Sequence, residues 1–222
     1  MNDYYLRFAL AWLLSVVVGC TSAPVRYYTL TPPPDKTRPA LETTLPIDVR
    51  IVHTPPQLNR AELMVRSGPA EVTLLENERW ASPVNDEIKA ALRLEIQRRL
   101  GRVSGSRSAF TKLTLDIDVQ RLEAEFERYA LLEASWTATL SAPGQRAGGA
   151  RVTSCTFHAD ENVHAGYTGI VEGYQREIAA LADAIVAALT NPASGSDAPC
   201  QRAIEGSAGG AGPKGQVSPK RG

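Results

Sequence analysis

The alternation of hydrophobic and polar positions along this chain predicts two blocks of strands, each followed by a helix. In the first block, Gly68-Pro69 separates two short apolar runs and predicts the turn of a hairpin. Another run alternates at period two, which is typical of a strand with one buried face. The four predicted strands are residues 27–30, 47–51, 63–66 and 72–75.

A helix is predicted to close the first block. Ser82 suits the N-cap and Pro83 the first helical position, while Gly101 just beyond the last turn is typical of a helix end. Apolar residues spaced by three and four form one stripe, which comprises Ile88, Ala91, Leu92, Ile96 and Leu100.

The second block is predicted to be an antiparallel meander followed by a second helix. Its first strand carries apolar residues on one parity from Leu113 to Val119 and on the other from Leu122 to Phe126. This switch near Gln120 and Arg121 predicts a β-bulge, because a regular strand would turn half of its apolar residues to water. The remaining elements are predicted strands at 129–140 and 151–159 and a helix at 169–189.

An apolar run from Phe8 to Val18 leads into Gly19-Cys20 and predicts a lipoprotein signal peptide. A transmembrane anchor is the alternative, but 11 helical residues span only about 16 Å, roughly half of a hydrocarbon core. Cleavage after Gly19 would leave Cys20 as the first mature residue, with a sulfur that can carry a diacylglyceryl group. A Thr at the second mature position, Thr21, resembles the pattern of lipoproteins that are sent to the outer membrane. The protein is therefore expected at the outer membrane, facing the periplasm.

These patterns predict an α/β (α+β) fold with a single domain. A mostly antiparallel or mixed sheet is covered by two amphipathic helices in the order ββββ-α-βββ-α. The predicted divisions are a signal peptide at 1–19, a lipidated N-terminus with a short strand and a Pro-rich segment at 20–45, a globular domain at 46–190, and a disordered Gly/Ala/Pro/Ser-rich tail at 191–222.

Composition narrows the class of protein. A hydrophobic content of 43% supports a core, and 24 basic residues balance 24 acidic ones, which argues against binding to nucleic acid. With Cys20 assigned to lipid, Cys155 and Cys200 could pair or stay free. An unpaired or optional thiol is favoured, because Cys200 lies in the polar tail.

No set of residues in the sequence forms a recognisable catalytic motif, and no cofactor is predicted. Asp116 and Asp118 share a predicted solvent-facing parity, His53 is interpreted as a surface residue, and Trp80 and Trp136 are interpreted as core residues. One polar cluster has residue types that bind metals, but a connecting loop is the favoured interpretation. It comprises Cys155, His158, Asp160, Glu161 and His164.

Several motifs together resemble one family. After the lipid signal come Tyr27-Tyr28-Thr29-Leu30, then Pro55-Pro56 followed by Leu58-Asn59-Arg60, and then Glu78-Arg79-Trp80-Ala81-Ser82-Pro83 before a helix. This order resembles the ABC-type transport auxiliary lipoproteins, a family that includes paraquat-inducible protein C. The similarity covers roughly residues 17–190 and is strongest from Leu58 to Leu100.

The resemblance implies a non-enzymatic component of an envelope lipid-transport system, attached to the outer membrane. Its implied partners are a mammalian-cell-entry-domain tunnel protein and an inner-membrane permease or ABC transporter, and it could act as a homo-oligomer. Arg60 and the expected Arg79-Trp80 turn are the motif positions for structural or partner contacts. Two other classes stay open: an envelope-assembly lipoprotein without a transport role, and a periplasmic enzyme with an unrecognised site.

Overall fold

Seven strands and two helices account for the regular structure of the residues that a computed structural model describes, which are 23–33, 46–103, 112–141 and 150–190. The predicted signal peptide, Gly19, Cys20 and the predicted tail lie outside these ranges. The elements are β1 (Arg26–Tyr28), β2 (Ile47–His53), β3 (Glu62–Gly68), β4 (Glu71–Trp80), α1 (Val84–Val103), β5 (Lys112–Glu125), β6 (Tyr129–Ser141), β7 (Arg151–Asn162) and α2 (Tyr167–Thr190). A 3₁₀ turn at Pro56–Leu58 follows β2.

All seven strands form one mixed sheet in the order β1-β4-β3-β5-β6-β7, with β2 also paired to β5. The β3–β4 hairpin and the β5–β6–β7 meander are antiparallel, whereas β1 runs parallel to β4 and β2 parallel to β5. Both helices cover one face of the sheet, and no helix or strand of the described residues covers the other, which we call the uncovered face. The predicted fold class and element order are therefore confirmed.

Strand β5 contains the predicted bulge. Its pairing with β6 shifts register between Val119 and Arg121, so that Leu122 and Ala124 lie on the same covered face as Ile117. The expectation for Phe126 is wrong, because the strand ends at Glu125 and the Phe126 ring is exposed against Tyr167. The chain turns there into β6, with Glu127 at a φ of 57°.

Helix α1 buries the whole predicted stripe, but its ends differ from the prediction. Pro83 precedes the first helical residue, and its carbonyl oxygen accepts hydrogen bonds from the amides of Asp86 and Glu87. Ser82 donates its hydroxyl to the Glu87 carboxylate instead of capping a helix amide. Gly101 lies inside the helix. A helical glycine costs only about 1 kcal/mol relative to alanine, which is too little to end the helix at this position.

Helix α2 approaches the sheet closely at Gly173. A Cβ atom at this position would lie 2.7 Å from Val163 Cγ1 and 2.9 Å from Ala130 Cβ. Small residues on both partners therefore set the distance between α2 and the sheet.

One turn beyond Gly173, the Glu177 side chain is fully buried, and neither carboxylate oxygen has a hydrogen-bond partner among the described residues. Burial raises the pKa of Glu177 to about 9, and the nearby Glu161 and Asp160 carboxylates add to this effect, which Arg176 opposes. The side chain is therefore neutral at pH 7 in the folded protein. In the unfolded chain it would be ionised, so folding at pH 7 includes the uptake of a proton.

Replacing Glu177 with Gln should stabilise the protein at pH 7 and flatten the pH dependence of its stability. The pKa is higher in the folded than in the unfolded state, so the contribution of Glu177 is complete below pH 4.5 and is lost as the pH rises towards about 9. At about 1.4 kcal/mol per pKa unit, the loss at pH 7 is of the order of 3 kcal/mol. Urea unfolding at pH 5, 7 and 8.5 measures this difference.

The exposed Glu172 on the same helix provides the control. Glu172→Gln should leave the pH dependence of unfolding unchanged. Equal pH slopes for the wild type and Glu177→Gln would contradict the assignment of a neutral buried carboxyl group.

Candidate functional site at the N-terminal strand

The first turn of α1 holds the segment that follows β1. The buried carboxylate of Glu87 accepts hydrogen bonds from the Thr29 hydroxyl at 2.7 Å, the Leu30 amide at 2.9 Å and the Ser82 hydroxyl at 2.7 Å. A helix N-terminus favours negative charge at this position. Donors from the N-terminal segment thus compensate a buried carboxylate that would otherwise be costly.

A second buried carboxylate, Glu78 in β4, holds β1 itself. It accepts a hydrogen bond from the Tyr28 hydroxyl at 2.6 Å, and its Oε1 lies 2.8 Å from Nη2 of Arg26. Burial and the hydrogen bond to Glu78 raise the pKa of Tyr28, so its phenol remains a donor at neutral pH.

Backbone contacts complete this arrangement, which we call the N-terminal clamp: Glu78 and Glu87 with residues 26–31. The Tyr28 carbonyl oxygen accepts from the Ala81 amide at 2.8 Å, and the Thr29 carbonyl oxygen accepts from the Gln175 side chain at 3.1 Å. Leu30 is fully buried in the core. The clamp joins the N-terminal segment to β4, α1 and α2, so a force on this segment is transmitted to the core.

The motif residues Arg60, Arg79 and Trp80 lie near one end of the β3–β4 pair. Arg79 and Trp80 are the last residues of β4, so the expectation that they form a turn is wrong. Trp80 is buried, with its ring 6.3 Å from that of Tyr174 in α2. Arg79 lies on the opposite face, 3.2 Å from the Glu62 carboxylate.

Arg60 is exposed in the segment between the 3₁₀ turn and β3. The next residue, Ala61, accepts the backbone hydrogen bond of Trp80 through its carbonyl oxygen, at 2.7 Å. The structure thus brings the three motif positions to one region, but it points Arg79 and Trp80 to opposite faces of the sheet. Trp136, the other predicted core tryptophan, is buried in β6.

The residues considered as metal ligands do not converge. Strand β7 extends to Asn162 and carries Cys155 on the covered face, while His158 lies on the uncovered face, 3.1 Å from the Glu133 carboxylate. In the part of the chain that the structure describes, no group of three His, Cys, Asp or Glu side chains could hold a metal ion.

Cys155 is disulfide-bonded, which overturns the expectation of an unpaired thiol. Its partner lies outside the described residues. The expectation rested on the composition around Cys200, and composition does not determine whether the Cys155 sulfur is bonded.

The uncovered face carries a network of charges across four strands. Arg66 in β3 binds the Glu123 carboxylate at 2.6 Å, and these hydrogen bonds lower the pKa of Glu123 to about 2. Arg121 links Glu123 to Glu133, which in turn meets His158. Asp116, predicted to face solvent, pairs with Arg50 at 2.7 Å. Paired charges of this kind form a polar surface and not a set of converging catalytic groups.

The match to a family model covers residues 28–186, and the family is the ABC-type transport auxiliary lipoprotein component. The chain belongs to this family. The match begins at Tyr28, the residue that binds Glu78 in the clamp. Membership makes the protein a lipoprotein of the cell envelope that is associated with an ABC transporter system, and the family is not a known enzyme family.

The structural comparisons show the fold alone. The crystal structure of an uncharacterized protein is similar with a TM-score of 0.57 and 17% identity, over 76% of this chain and 100% of the other. A structure from Xanthomonas campestris, of the family DUF330, has a TM-score of 0.45 and 18% identity, over 74% of this chain and 93% of the other. No curated protein matches this chain. Neither α1 nor α2 is apolar and long enough to cross a membrane.

The two clamp carboxylates were missed at the level of sequence. In the sequence, Glu87 lies in the first turn of the predicted helix and Glu78 begins the motif before it, and neither position by itself indicates a buried carboxylate. Their partners in the N-terminal segment lie about 50 to 58 positions away in the chain, so local patterns carry no signal for these contacts.

Replacing Glu87 with Gln should release the N-terminal segment and lower the free energy of unfolding by about 2 to 4 kcal/mol. Thr29 and Leu30 donate to one carboxylate oxygen of Glu87 and Ser82 donates to the other, whereas the uncharged amide of Gln offers a single acceptor oxygen for these three donors. Hydrogen exchange should show faster exchange of the Leu30 amide, and trypsin should cleave faster after Arg26.

Asp86→Asn is the matched control, because Asp86 is an exposed carboxylate in the same helical turn. Loss of the Asp86 charge should lower the free energy of unfolding by less than about 1 kcal/mol, since only the interaction with the helix dipole is removed. Wild-type exchange of the Leu30 amide in Glu87→Gln would refute the clamp.

Proposed function

We propose that this protein is acylated at Cys20 after cleavage behind Gly19, and that it is held on the periplasmic side of the outer membrane. There it would serve as the docking component of a mammalian-cell-entry-type intermembrane lipid-transport system. The observation that carries this proposal is the N-terminal clamp, because it connects the segment next to the acylation site to the core of the domain.

The short tether supports a docking role. Arg26 lies six positions after Cys20, and an extended chain of that length reaches about 20 Å. The clamp prevents this distance from increasing, because β1 and residues 29–30 are hydrogen-bonded to β4 and both helices. A domain held this close to a bilayer is suited to position a partner at the membrane.

The disulfide of Cys155 agrees with acylation of Cys20 if its partner is Cys200. The Arg151 guanidinium binds the Leu189 carbonyl oxygen, so the end of α2 lies beside the start of β7. Cys200 lies ten positions after Thr190, and a chain of that length can span about 33 Å, which is ample for reaching Cys155. Cys20 is placed less favourably, because β1 and β7 are opposite edges of the sheet, about 24 Å apart.

The proposed partners are a tunnel protein with mammalian-cell-entry domains and, at the inner membrane, a permease or ABC transporter. The polar uncovered face and the exposed Arg60 and partly exposed Arg79 are the surfaces we assign to docking. Their charges are exposed at the surface, so they can exchange partners at little cost.

Cys20→Ala should move the protein from the membrane fraction to the soluble periplasmic fraction or leave it mislocalised. Cys200→Ala is the control and should remain with the outer membrane. Retention of Cys20→Ala at the outer membrane would contradict the proposed anchor. Deletion of the gene should also sensitise cells to detergent, and the wild-type protein should co-purify with a tunnel protein.

An envelope-assembly role without lipid transport makes a different prediction. In that case deletion would leave the outer-membrane lipid barrier normal, and no tunnel protein would co-purify. This pair of results would overturn the transport role while leaving the anchor intact.

Mass spectrometry of the mature protein should find an acylated Cys20 and a disulfide between Cys155 and Cys200. Thiol titration of the unfolded protein should then detect no free thiol, whereas Cys200→Ala should expose one, at Cys155. A peptide linking Cys155 to Cys20 would exclude acylation through that sulfur and would refute the proposal.

A further inference from the structure

We propose that one edge of the uncovered face lies against the bilayer that holds the acyl chains of Cys20. This apolar edge consists of Val25, Tyr27, Val72 and Leu74. The inference rests on the proposed acylation and adds the orientation of the domain at the membrane.

All four side chains are exposed, with 44% of Val25, 66% of Tyr27, 51% of Val72 and 40% of Leu74 accessible to solvent. Most other large apolar residues of the described strands are buried. Exposed apolar residues that occur together indicate an interaction surface, whereas single ones need no explanation.

The strand register places three of them on the same face. Leu74 lies opposite Met64, and Val72 opposite Arg66. Arg79 lies opposite Glu62, and Tyr27 lies beside Arg79. Positions 62, 64 and 66 of β3 alternate with the buried Leu63 and Val65, so they and their neighbours Tyr27, Val72 and Leu74 belong to the uncovered face.

The direction of β1 places the acylation site near this edge. Because β1 runs parallel to β4 with Arg26 beside Glu78, the chain enters β1 from the side of the β3–β4 turn, which is the side where β4 carries Val72 and Leu74. Val25 lies five positions after Cys20, which gives a reach of about 18 Å at most. The same membrane that holds the acyl chains is therefore within reach of the apolar edge.

The chemistry of the edge fits the headgroup region better than the hydrocarbon core. Tyr27 has an apolar ring and a polar hydroxyl, which suits the membrane interface. Arg26 is largely exposed nearby, where its guanidinium can meet lipid phosphates. Glu71 and Glu76 are exposed on β4 and oppose deep insertion. The acyl chains supply the affinity, and the edge sets the orientation.

The test uses the full-length acylated protein with one cysteine added at position 72 and labelled with an environment-sensitive fluorophore. The matched control is Val152→Cys, because Val152 is 59% exposed in β7 at the opposite edge of the sheet. Both proteins are reconstituted in phosphatidylethanolamine/phosphatidylglycerol vesicles at low protein-to-lipid ratio, and quenching by iodide is measured. Mass spectrometry verifies acylation of Cys20 and a single label.

The label at position 72 should be protected from iodide by about threefold or more relative to the label at position 152, since interfacial side chains are buried among headgroups. Val72→Cys combined with Cys20→Ala should show no protection in the presence of the same vesicles if acylation is needed to bring the edge to the membrane.

Three results would overturn the inference. Equal quenching at positions 72 and 152 on verified acylated protein would refute the membrane contact while leaving the proposed anchor intact. Protection at position 72 that rises with the protein-to-lipid ratio, or that occurs without vesicles, would show contact with a second copy of this chain. Absence of acyl chains on Cys20 would instead refute the proposed function itself.

Discussion

Strand β5 imposes the constraint on which the rest of the structure depends. It pairs with β6 along one edge and with β2 and then β3 along the other, so every part of the sheet is registered through it. The bulge after Val119 keeps Leu122 and Ala124 under the helices. It also turns Glu123 to the uncovered face, where it binds Arg66 and ties β3 to the meander. A regular strand would expose the two apolar side chains and bury this carboxylate.

Buried carboxylates connect this framework to the N-terminus. Glu78 and Glu87 remain hydrogen-bonded because residues of the N-terminal segment supply the donors. No donor from the described part of the chain reaches Glu177, and burial raises its pKa to about 9, so that it is neutral at pH 7. This contrast shows that the two clamp carboxylates depend on the N-terminal segment for their hydrogen bonds. If the segment detached, Glu78 and Glu87 would lose donors, and Leu30 would leave the core.

The features predictable from sequence are those that a local period determines. The stripe of α1, the alternation of β5 and β6 and the parity switch at Gln120 and Arg121 each depend on neighbouring residues, and all three agree with the structure. The ends of α1 are less predictable, because capping residues contribute little free energy compared with the continued packing of the helix against the sheet. The clamp, the Cys155 disulfide and the charge network depend on residues far apart in the chain, which no period encodes.

The two edges of the sheet differ in how they avoid unwanted strand pairing. Along β7 the polar His158 and Asp160 alternate with buried residues, which discourages another strand from adding to this edge. On the other side β1 pairs only with residues 78–80, so in the described part of the chain no strand covers residues 71–77 of β4 from that side. This stretch carries Val72 and Leu74, and a free apolar edge is a site of association unless something lies against it. A membrane held within reach of that edge by a short tether would supply the missing cover without a partner chain.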